Sequence, residues 1–136
     1  MSCQRRHGRS NSIQRVRRGR ANLSRPTREA LLAAIRVLRD AGPTLGRPLV
    51  DAVVSSRHSN MKELRPGSTG RTEGRLLFAF DRERRAILLV GGDKREYWRG
   101  WYTLNVPIAD DRFDEHQARL NQTTTKRPHP KRRRTR

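Results

Sequence analysis

The sequence predicts a small α+β domain in which an antiparallel sheet of three to four strands packs with two or three helices. Three patterns support this prediction. Residues 26–41 repeat apolar side chains at helical spacing, GRLLFAF (74–80) alternates between two faces, and AILLV (86–90) is apolar on both faces. A second helical pattern ends near residue 120, so the strands are grouped between two helices.

The first helix is predicted from about Pro26 to Ala41. Large aliphatic residues recur at i, i+4 and i+7, at Leu31, Ile35 and Leu38, and give the helix one apolar stripe. Ser24 is a candidate N-cap, and the Gly-Pro pair after the helix is a stop signal. This helix is therefore expected to pack one face on the sheet.

A three-strand meander is predicted next. Residues 61–65 form a short strand candidate that ends before a Pro-Gly pair. In residues 74–80 the alternation gives two faces, Leu76, Phe78 and Phe80 on one and Arg75, Leu77 and Ala79 on the other. The charged segment DRERR (81–85) is predicted as a turn. The apolar run 86–90 is expected of a central strand, and Gly91-Gly92 is predicted to break it.

The remaining segments are predicted from weaker patterns. A turn is expected at Gly46-Arg47-Pro48, with apolar cover from the aliphatic residues of 49–54, namely Leu49, Val50, Val53 and Val54. The closing helix is predicted over 108–120, with Pro107 leading into it and acidic residues in its first turn. Trp98 and Trp101 are interpreted as core residues that anchor this helix.

The charge of the chain is concentrated at its two ends. Of the formal net charge of +19 over 136 residues, residues 1–26 carry +8 and residues 121–136 carry +7, and neither segment contains an acidic residue. The intervening residues carry only +4 and all seven aromatic side chains. We therefore predict a basic, disordered arm over 1–25, a folded domain over 26–120 and a basic, disordered tail over 121–136. A mis-assigned start codon would also explain the first arm.

Several classes of protein are excluded by composition. The single cysteine, Cys3, supports neither a disulfide framework nor a CxxC zinc site, and the four histidines are too far apart for a zinc motif. The chain has no apolar run long enough for a membrane helix and no secretory signal pattern. We expect a soluble protein of a reducing compartment, with no metal and no cofactor.

The candidate functional residues are cations on or beside the predicted strands. Lys62 and Arg65 belong to the first strand, Arg75 to the second, and Lys94 follows the third. Arg75 shares its face with small apolar residues, which is typical of an exposed, concave surface that excludes some water. Because 32 residues of the chain are Lys or Arg, any one of these four cations is more often a solvated surface charge than a functional residue. His58 is a candidate general acid or base, or else an ordinary loop residue.

Longer motifs resemble a known family. The segment SRHSNMKELRPGSTGRTEGRLLFAFDRERRAILLVGGDKREYWRGWY, followed by NVPIADDRFDEHQARL, resembles the RelE/ParE superfamily of type II toxins. Within it, the chain is most similar to the HigB-like, phage Gp49-related group of actinobacteria. MKELRP, then GR before an apolar strand, then a strand ending in GDK, is a fairly specific combination, and the resemblance covers residues 31–120. It implies a RelE-like microbial RNase fold.

The resemblance also implies a function. Many such toxins are endoribonucleases (mRNA interferases) of the bacterial cytoplasm that cut mRNA on the ribosome, and each is neutralised by a cognate antitoxin, often a helix-turn-helix protein. The reaction is metal-free, because the RNA 2′-OH attacks the adjacent phosphorus. By position, the resemblance assigns Lys62 as base, Arg75 as phosphate stabiliser and Tyr97 to stacking or proton transfer. Arg65, Lys94 and His58 would contact the RNA.

Two alternatives remain open at this point. A degenerate toxin-like domain would bind RNA or DNA through its basic arms without cleaving it. The other alternative is a gyrase poison of the ParE type, which the HigB-like motifs disfavour. Family members usually begin with an apolar strand, and we expect none within residues 1–25.

Overall fold

The structure, a computed structural model, describes residues 13–15, 23–66, 73–94 and 100–126. In chain order the elements are strand β1 (Ile13–Arg15), helix α1 (Arg25–Ala41), strands β2 (Val50–Ala52), β3 (Met61–Leu64), β4 (Gly74–Phe80) and β5 (Ala86–Asp93), and helix α2 (Trp101–Lys126). A 3₁₀ turn, Gly42–Thr44, follows α1.

The strands form one sheet in the order β1-β5-β4-β3-β2. Strands β2 to β5 are antiparallel neighbours, whereas β1 lies parallel to β5 at the edge. Helix α1 packs on one face of the sheet and α2 on the other, so β4 and β5 are buried on both sides. The predicted α+β class with an antiparallel sheet is confirmed, as is the central position of the 86–90 strand.

Two apolar layers cover the two faces of the sheet. The layer beneath α1 contains Leu31, Ala34, Leu38, Val50, Leu64, Leu76, Phe78, Ala86 and Leu88. The layer beneath α2 contains Val53, Met61, Leu77, Ala79, Ile87, Leu89, Val90, Trp101, Val106, Ala109 and Phe113. The alternation predicted for residues 74–80 and the core position of Trp101 are therefore confirmed. Trp98 lies outside the described residues.

Helix α1 has both predicted ends. The Ser24 hydroxyl accepts a hydrogen bond from the Thr27 amide at 3.3 Å, which satisfies one of the unpaired amides of the first turn. The helix ends at Ala41, and Gly42, which follows it, has a φ of 70°, a positive value that favours glycine. Its first residue is Arg25, one position before the predicted start.

Strand β5 continues through Gly91 and Gly92, so the predicted break at these glycines is wrong. A Cβ atom on Gly92 would lie 2.8 Å from Nε1 of Trp101. The missing side chain lets the first turn of α2 approach the strand closely. The glycine pair therefore serves packing between helix and strand and does not end the strand.

Helix α2 begins at Trp101, well before the predicted start at Ile108, and contains Pro107. A proline inside a helix leaves the carbonyl four residues earlier, here that of Thr103, without its helical partner. Pro107 and Thr103 are both exposed, so water can hydrate the freed carbonyl. The helix also extends beyond residue 120, the predicted end of the folded domain.

Two short strands lie in segments for which no strand was predicted. Ile13 belongs to β1, pairs with Ala86 and packs against the layer beneath α1, although residues 1–25 were expected to be disordered. Val50 belongs to β2 and is buried as predicted, whereas Val54 lies in the following turn and is 94% exposed. Beyond these segments, the division into two arms and a domain stays a prediction.

Candidate functional site

Arg75 lies near the start of β4, on the sheet face that α2 covers. Its side chain is only 11% exposed, so the expected exposed surface around it is wrong. Glu63 of β3 lies on the same face, because it pairs in register with Leu77. Its Oε1 atom is 3.7 Å from Nε of Arg75, and its side chain is 12% exposed. A guanidinium and a carboxylate thus face each other in a largely dry setting.

Helix α2 adds a phenol to this pair. The Tyr102 hydroxyl donates a hydrogen bond of 2.6 Å to Oε1 of Glu63. Burial, followed by the hydrogen bond to Glu63, raises the pKa of Tyr102 to about 12. The phenol is therefore protonated at neutral pH and fixes one oxygen of the Glu63 carboxylate.

Lys94 and Glu73 complete the arrangement where β4 begins and β5 ends. The Oε1 atom of Glu73 is 3.6 Å from Nη2 of Arg75 and 3.5 Å from Nζ of Lys94. The Lys94 ammonium also lies 5.6 Å from the centre of the Tyr102 ring, within cation–π range. We call Glu63, Glu73, Arg75, Lys94 and Tyr102 the Arg75 cluster.

The guanidinium of Arg75 is not fully hydrogen-bonded. Its Nη1 donates to the carbonyl of Gly74 at 2.9 Å. Its buried Nε has no hydrogen-bond partner among the residues that the structure describes, since Glu63 is too distant. Buried donors are nearly always paired, so each unpaired one needs an explanation. The nearest acceptor is the Glu63 carboxylate, and a small approach of the two side chains would pair this Nε.

Arg65 borders the Arg75 cluster on the β2 side. Its Nη1 donates to Oδ2 of Asp51 at 3.0 Å, and both side chains are about a third exposed. Asp51 is the cross-strand partner of Glu63, so the two carboxylates lie on the same face of neighbouring strands. Arg65 is thus a second, more exposed cation near the predicted site.

Lys62 lies on the opposite face of the sheet. Its cross-strand partner is Phe78, which belongs to the layer beneath α1, whereas Arg75 lies beneath α2. Within the described ranges, no hydrogen bond or ion pair of Lys62 is found. A base acting on a phosphate held by Arg75 must share its face, and the geometry does not bring these two side chains together.

His58 joins the loop before β3 to helix α2. Its Nε2 lies 2.8 Å from Oδ1 of Asp114, and its ring packs edge-on against Phe113. Arg57 also binds Asp114, and this hydrogen bond, more than that of His58, lowers the pKa of the Asp114 carboxyl. The segment is an anchor between loop and helix.

This anchor is remote from the Arg75 cluster. The amide of Met61 donates to the His58 carbonyl, and Met61 pairs with Ala79. Ala79 is four residues along β4 from Arg75, which is about 13 Å in a strand. The structure therefore brings Arg65, Arg75 and Lys94 together, but not His58.

The remaining predictions concern Tyr97, metal binding and membrane-spanning helices. Tyr97 is not among the described residues. In the described ranges, no group of three His, Cys, Asp or Glu side chains is arranged to hold a metal ion. The same residues include no helix with the length and hydropathy to span a membrane.

Sequence reasoning missed Glu63, Glu73 and Tyr102. For Glu63 a signal was present, because in MKEL it falls two residues after Met61 and so shares that buried face. A carboxylate on an apolar face needs a cationic partner. Tyr102 could not be found, because its segment was not predicted to be helical.

The phenol of Tyr102 should titrate unusually late. In an ultraviolet absorbance titration of the full chain, one of the two tyrosines should ionise near pH 12 instead of pH 10. The stabilising effect of its hydrogen bond is present below pH 10 and is lost as the pH rises through 12. Tyr102→Phe should remove the late step, and Glu63→Gln should move it to lower pH. A late step that survives in Tyr102→Phe would contradict the assignment.

Comparisons with known proteins agree with the resemblance described above. Residues 21–114 match the family model described as phage derived protein Gp49-like (DUF891). The "Putative toxin HigB2" of Mycobacterium tuberculosis is 50% identical over 115 residues, which is 85% of this chain and 57% of that protein. The "Putative toxin HigB3" of the same organism is 51% identical over 96 residues, 71% of this chain and 82% of that protein.

The chain thus spans little more than half the length of the first of these relatives. No solved structure matches the chain. The family model covers more than half of the chain and includes the strands that carry Glu63 and Arg75. The chain belongs to the Gp49-like family of phage-derived proteins.

Proposed function

We propose that this chain is the toxin of a type II toxin-antitoxin system and acts as a metal-free mRNA endoribonuclease on the ribosome. Its membership of the Gp49-like family and the toxin names of two relatives support the toxin role. The observation that carries the enzymatic part is the pairing of Glu63 and Arg75 on one face of the sheet. A proton acceptor beside a phosphate-binding cation is what cleavage by the RNA 2′-OH requires.

In the proposed reaction, the 2′-OH gives its proton to the Glu63 carboxylate. The 2′-oxygen then bonds to the adjacent phosphorus, and the bond from phosphorus to the 5′-oxygen breaks. The leaving oxygen takes a proton from a water molecule, and the hydroxide so formed takes the proton that Glu63 holds, so the products are a 2′,3′-cyclic phosphate and a 5′-OH. Arg75 stabilises the extra negative charge on the phosphorane, and Lys94 positions the backbone.

The other residues act around this centre. Tyr102 is a positioning residue, because its hydrogen bond fixes one Glu63 oxygen and leaves the second to accept the proton. Arg65 would bind a neighbouring phosphate, and Tyr97 remains a proposed residue for stacking or proton transfer. Lys62 could act as the predicted base only if the RNA reached the α1 face of the sheet, and His58 could make its predicted RNA contact only if the RNA reached the far end of the sheet.

The proposed partners are mRNA on the ribosome and a cognate antitoxin, and the proposed compartment is the bacterial cytoplasm. A helix-turn-helix protein encoded next to this chain is the antitoxin that the resemblance implies. Co-expression with that neighbour should rescue growth. The rescue would separate a toxin-antitoxin pair from general toxicity of a basic protein.

The direct test is to induce the full chain in a bacterial host and map the 5′ ends of cellular mRNA. We expect growth arrest within minutes and new mRNA ends carrying a 5′-OH, at positions that depend on translation. Arg75→Ala should produce neither, provided that circular dichroism finds it folded. If wild-type expression creates no new mRNA ends, the endoribonuclease proposal is wrong.

A non-catalytic nucleic-acid binder is the second candidate. The observation that favours it is the concentration of +15 of the net charge in residues 1–26 and 121–136. Such a protein would bind single strands with an affinity that falls by about 0.7 log units per neutralised phosphate for each tenfold rise in salt. Replacing the Lys and Arg side chains of these two segments by Gln, which keeps the chain length, would abolish its binding, whereas the enzyme would lose cleavage on substitution of Arg75 with both arms intact.

A further inference from the structure

Two carboxylates of the Arg75 cluster face its two cations, and their settings differ. Glu63 is nine-tenths buried and receives a short hydrogen bond from Tyr102. The Glu73 side chain is 41% exposed, and its contacts to Arg75 and Lys94, at 3.6 and 3.5 Å, are much longer than a charge-assisted hydrogen bond. Glu63 is therefore fixed, whereas Glu73 can move into solvent at little cost.

A single oxygen of Glu73 bridges both cations. Oε1 is the atom that lies near Nη2 of Arg75 and near Nζ of Lys94. An anionic oxygen held between a guanidinium and an ammonium is also how a phosphate oxygen is bound. The Glu73 carboxylate thus lies where the cluster would hold a phosphate group.

The backbone of Glu73 is held in place independently of this side chain. Its carbonyl accepts from the Lys94 amide at 3.0 Å, and its amide donates to Oδ1 of Asp93 at 3.2 Å. The main chain therefore stays paired with β5 when the carboxylate leaves. Only the side chain has to rotate to open the position.

The charges of the cluster also balance before and after such an exchange. Glu63 and Glu73 together neutralise Arg75 and Lys94. If a phosphodiester with one negative charge replaces the Glu73 carboxylate, the same balance is restored. If the carboxylate stayed, the phosphodiester would add an uncompensated negative charge in a partly dry setting.

We propose that Glu73 is an internal stand-in for phosphate, which occupies the phosphodiester position between Arg75 and Lys94 and must be displaced by substrate. This inference deepens the proposed function and rests on it for the nature of the ligand. Glu73 lowers the affinity of the resting site for anions. When a nucleic-acid backbone enters the site, the Glu73 carboxylate moves into solvent. It is a regulatory residue of the site and takes no part in the chemical step.

The test compares Glu73→Gln with wild type in the full chain. Two probes are used, a 2′-deoxy single-stranded oligonucleotide, which lacks the attacking hydroxyl, and inorganic phosphate. Removing a negative charge about 5 Å from the bound phosphate should raise affinity at least about fourfold even with water-like screening. Binding is followed by isothermal titration and by the amide NMR shift of Lys94.

Glu83→Gln is the matched control. Glu83 is an exposed carboxylate that pairs with Arg85 at 3.2 Å in the turn between β4 and β5, at the other end of the sheet. Glu83→Gln changes the net charge by the same amount as Glu73→Gln and leaves the basic arms unchanged. We expect the oligonucleotide to bind Glu83→Gln as it binds wild type.

Equal affinities in Glu73→Gln and Glu83→Gln would overturn the inference. A gain for inorganic phosphate without one for the oligonucleotide would overturn the phosphodiester assignment. If wild type shows no toxicity and no RNA cleavage but Glu73→Gln alone binds the oligonucleotide more tightly, the stand-in role holds and the proposed enzyme activity fails. If wild type cleaves RNA but Glu73→Gln binds the oligonucleotide no more tightly than wild type, the proposed enzyme activity holds and the stand-in role fails.

Discussion

Glu63→Gln should lower the rate of mRNA cleavage by about 10²- to 10⁴-fold, the usual contribution of a general base. The amide has nearly the shape of the carboxylate and can still accept the hydrogen bond from Tyr102, but it cannot take the 2′-OH proton. The measurement is cleavage of a translated mRNA in a reconstituted system, with growth arrest on induction as the cellular readout. Loss of activity should occur with the fold retained, as judged by circular dichroism and thermal unfolding.

Lys62→Ala is the control variant for this prediction. Lys62 precedes Glu63 in the same strand but faces α1, away from Arg75. We expect Lys62→Ala to retain most of the cleavage activity. If Lys62→Ala loses activity while Glu63→Gln keeps it, the base assigned by resemblance is correct, and the RNA must approach from the α1 face.

The sequence was informative wherever one local pattern decided the structure. In residues 74–80, strict alternation specified both faces of β4, including the face of Arg75. The start of α1 followed from Ser24, because the N-cap hydrogen bond is made within one turn. These features depend only on neighbours in the chain, so they can be predicted without the tertiary fold.

Predictions were wrong where tertiary packing overrides a local signal. Gly92 suggests a break, yet its missing side chain makes room for Trp101. The sequence does not show that these two residues are in contact. Pro107 suggests a helix start, yet its exposed position lets it lie inside α2. Both residues were interpreted by their commonest local role.

The candidate site was harder to predict than the fold. Arg75 and Lys94 were singled out, but the carboxylates that hold them were not, because Glu63 comes from another strand and Glu73 precedes β4. Tyr102 reaches Glu63 only because α2 crosses that face of the sheet. A site built from three strands and a helix requires the topology before its members can be matched.

Asp81 forms a second buried polar cluster, at the turn between β4 and β5. Its Oδ1 accepts hydrogen bonds from the amides of Glu83 and Arg85, at 2.8 and 3.0 Å. Its Oδ2 lies 2.8 Å from Nε2 of the buried His116 in α2 and accepts from the Arg85 guanidinium. One carboxylate thus fixes the turn and ties it to the helix.

Asp81→Ala should lower the free energy of unfolding by about 3–5 kcal/mol at pH 7, the usual cost of breaking a buried ionic network by removing one partner. His116 and two turn amides would lose their acceptor. Denaturant unfolding followed by circular dichroism measures the change. Asp111→Ala is the control, because Asp111 is an exposed carboxylate that pairs with Arg57 on the surface of α2. Its loss should cost less than about 1 kcal/mol.

The same carboxylate should make stability depend on acid. Burial alone would raise the pKa of Asp81, but hydrogen bonds from His116 and Arg85 hold it below its ordinary value. Its contribution is therefore complete above the unfolded pKa, near 4, and is lost as the pH falls through the lower folded pKa. Asp81→Asn should be less stable at pH 7 and should lose less stability than wild type between pH 5 and pH 2. Parallel pH profiles for the two proteins would mean that the pKa of Asp81 is the same in the folded and unfolded chains, and would contradict a folded pKa lowered by His116 and Arg85.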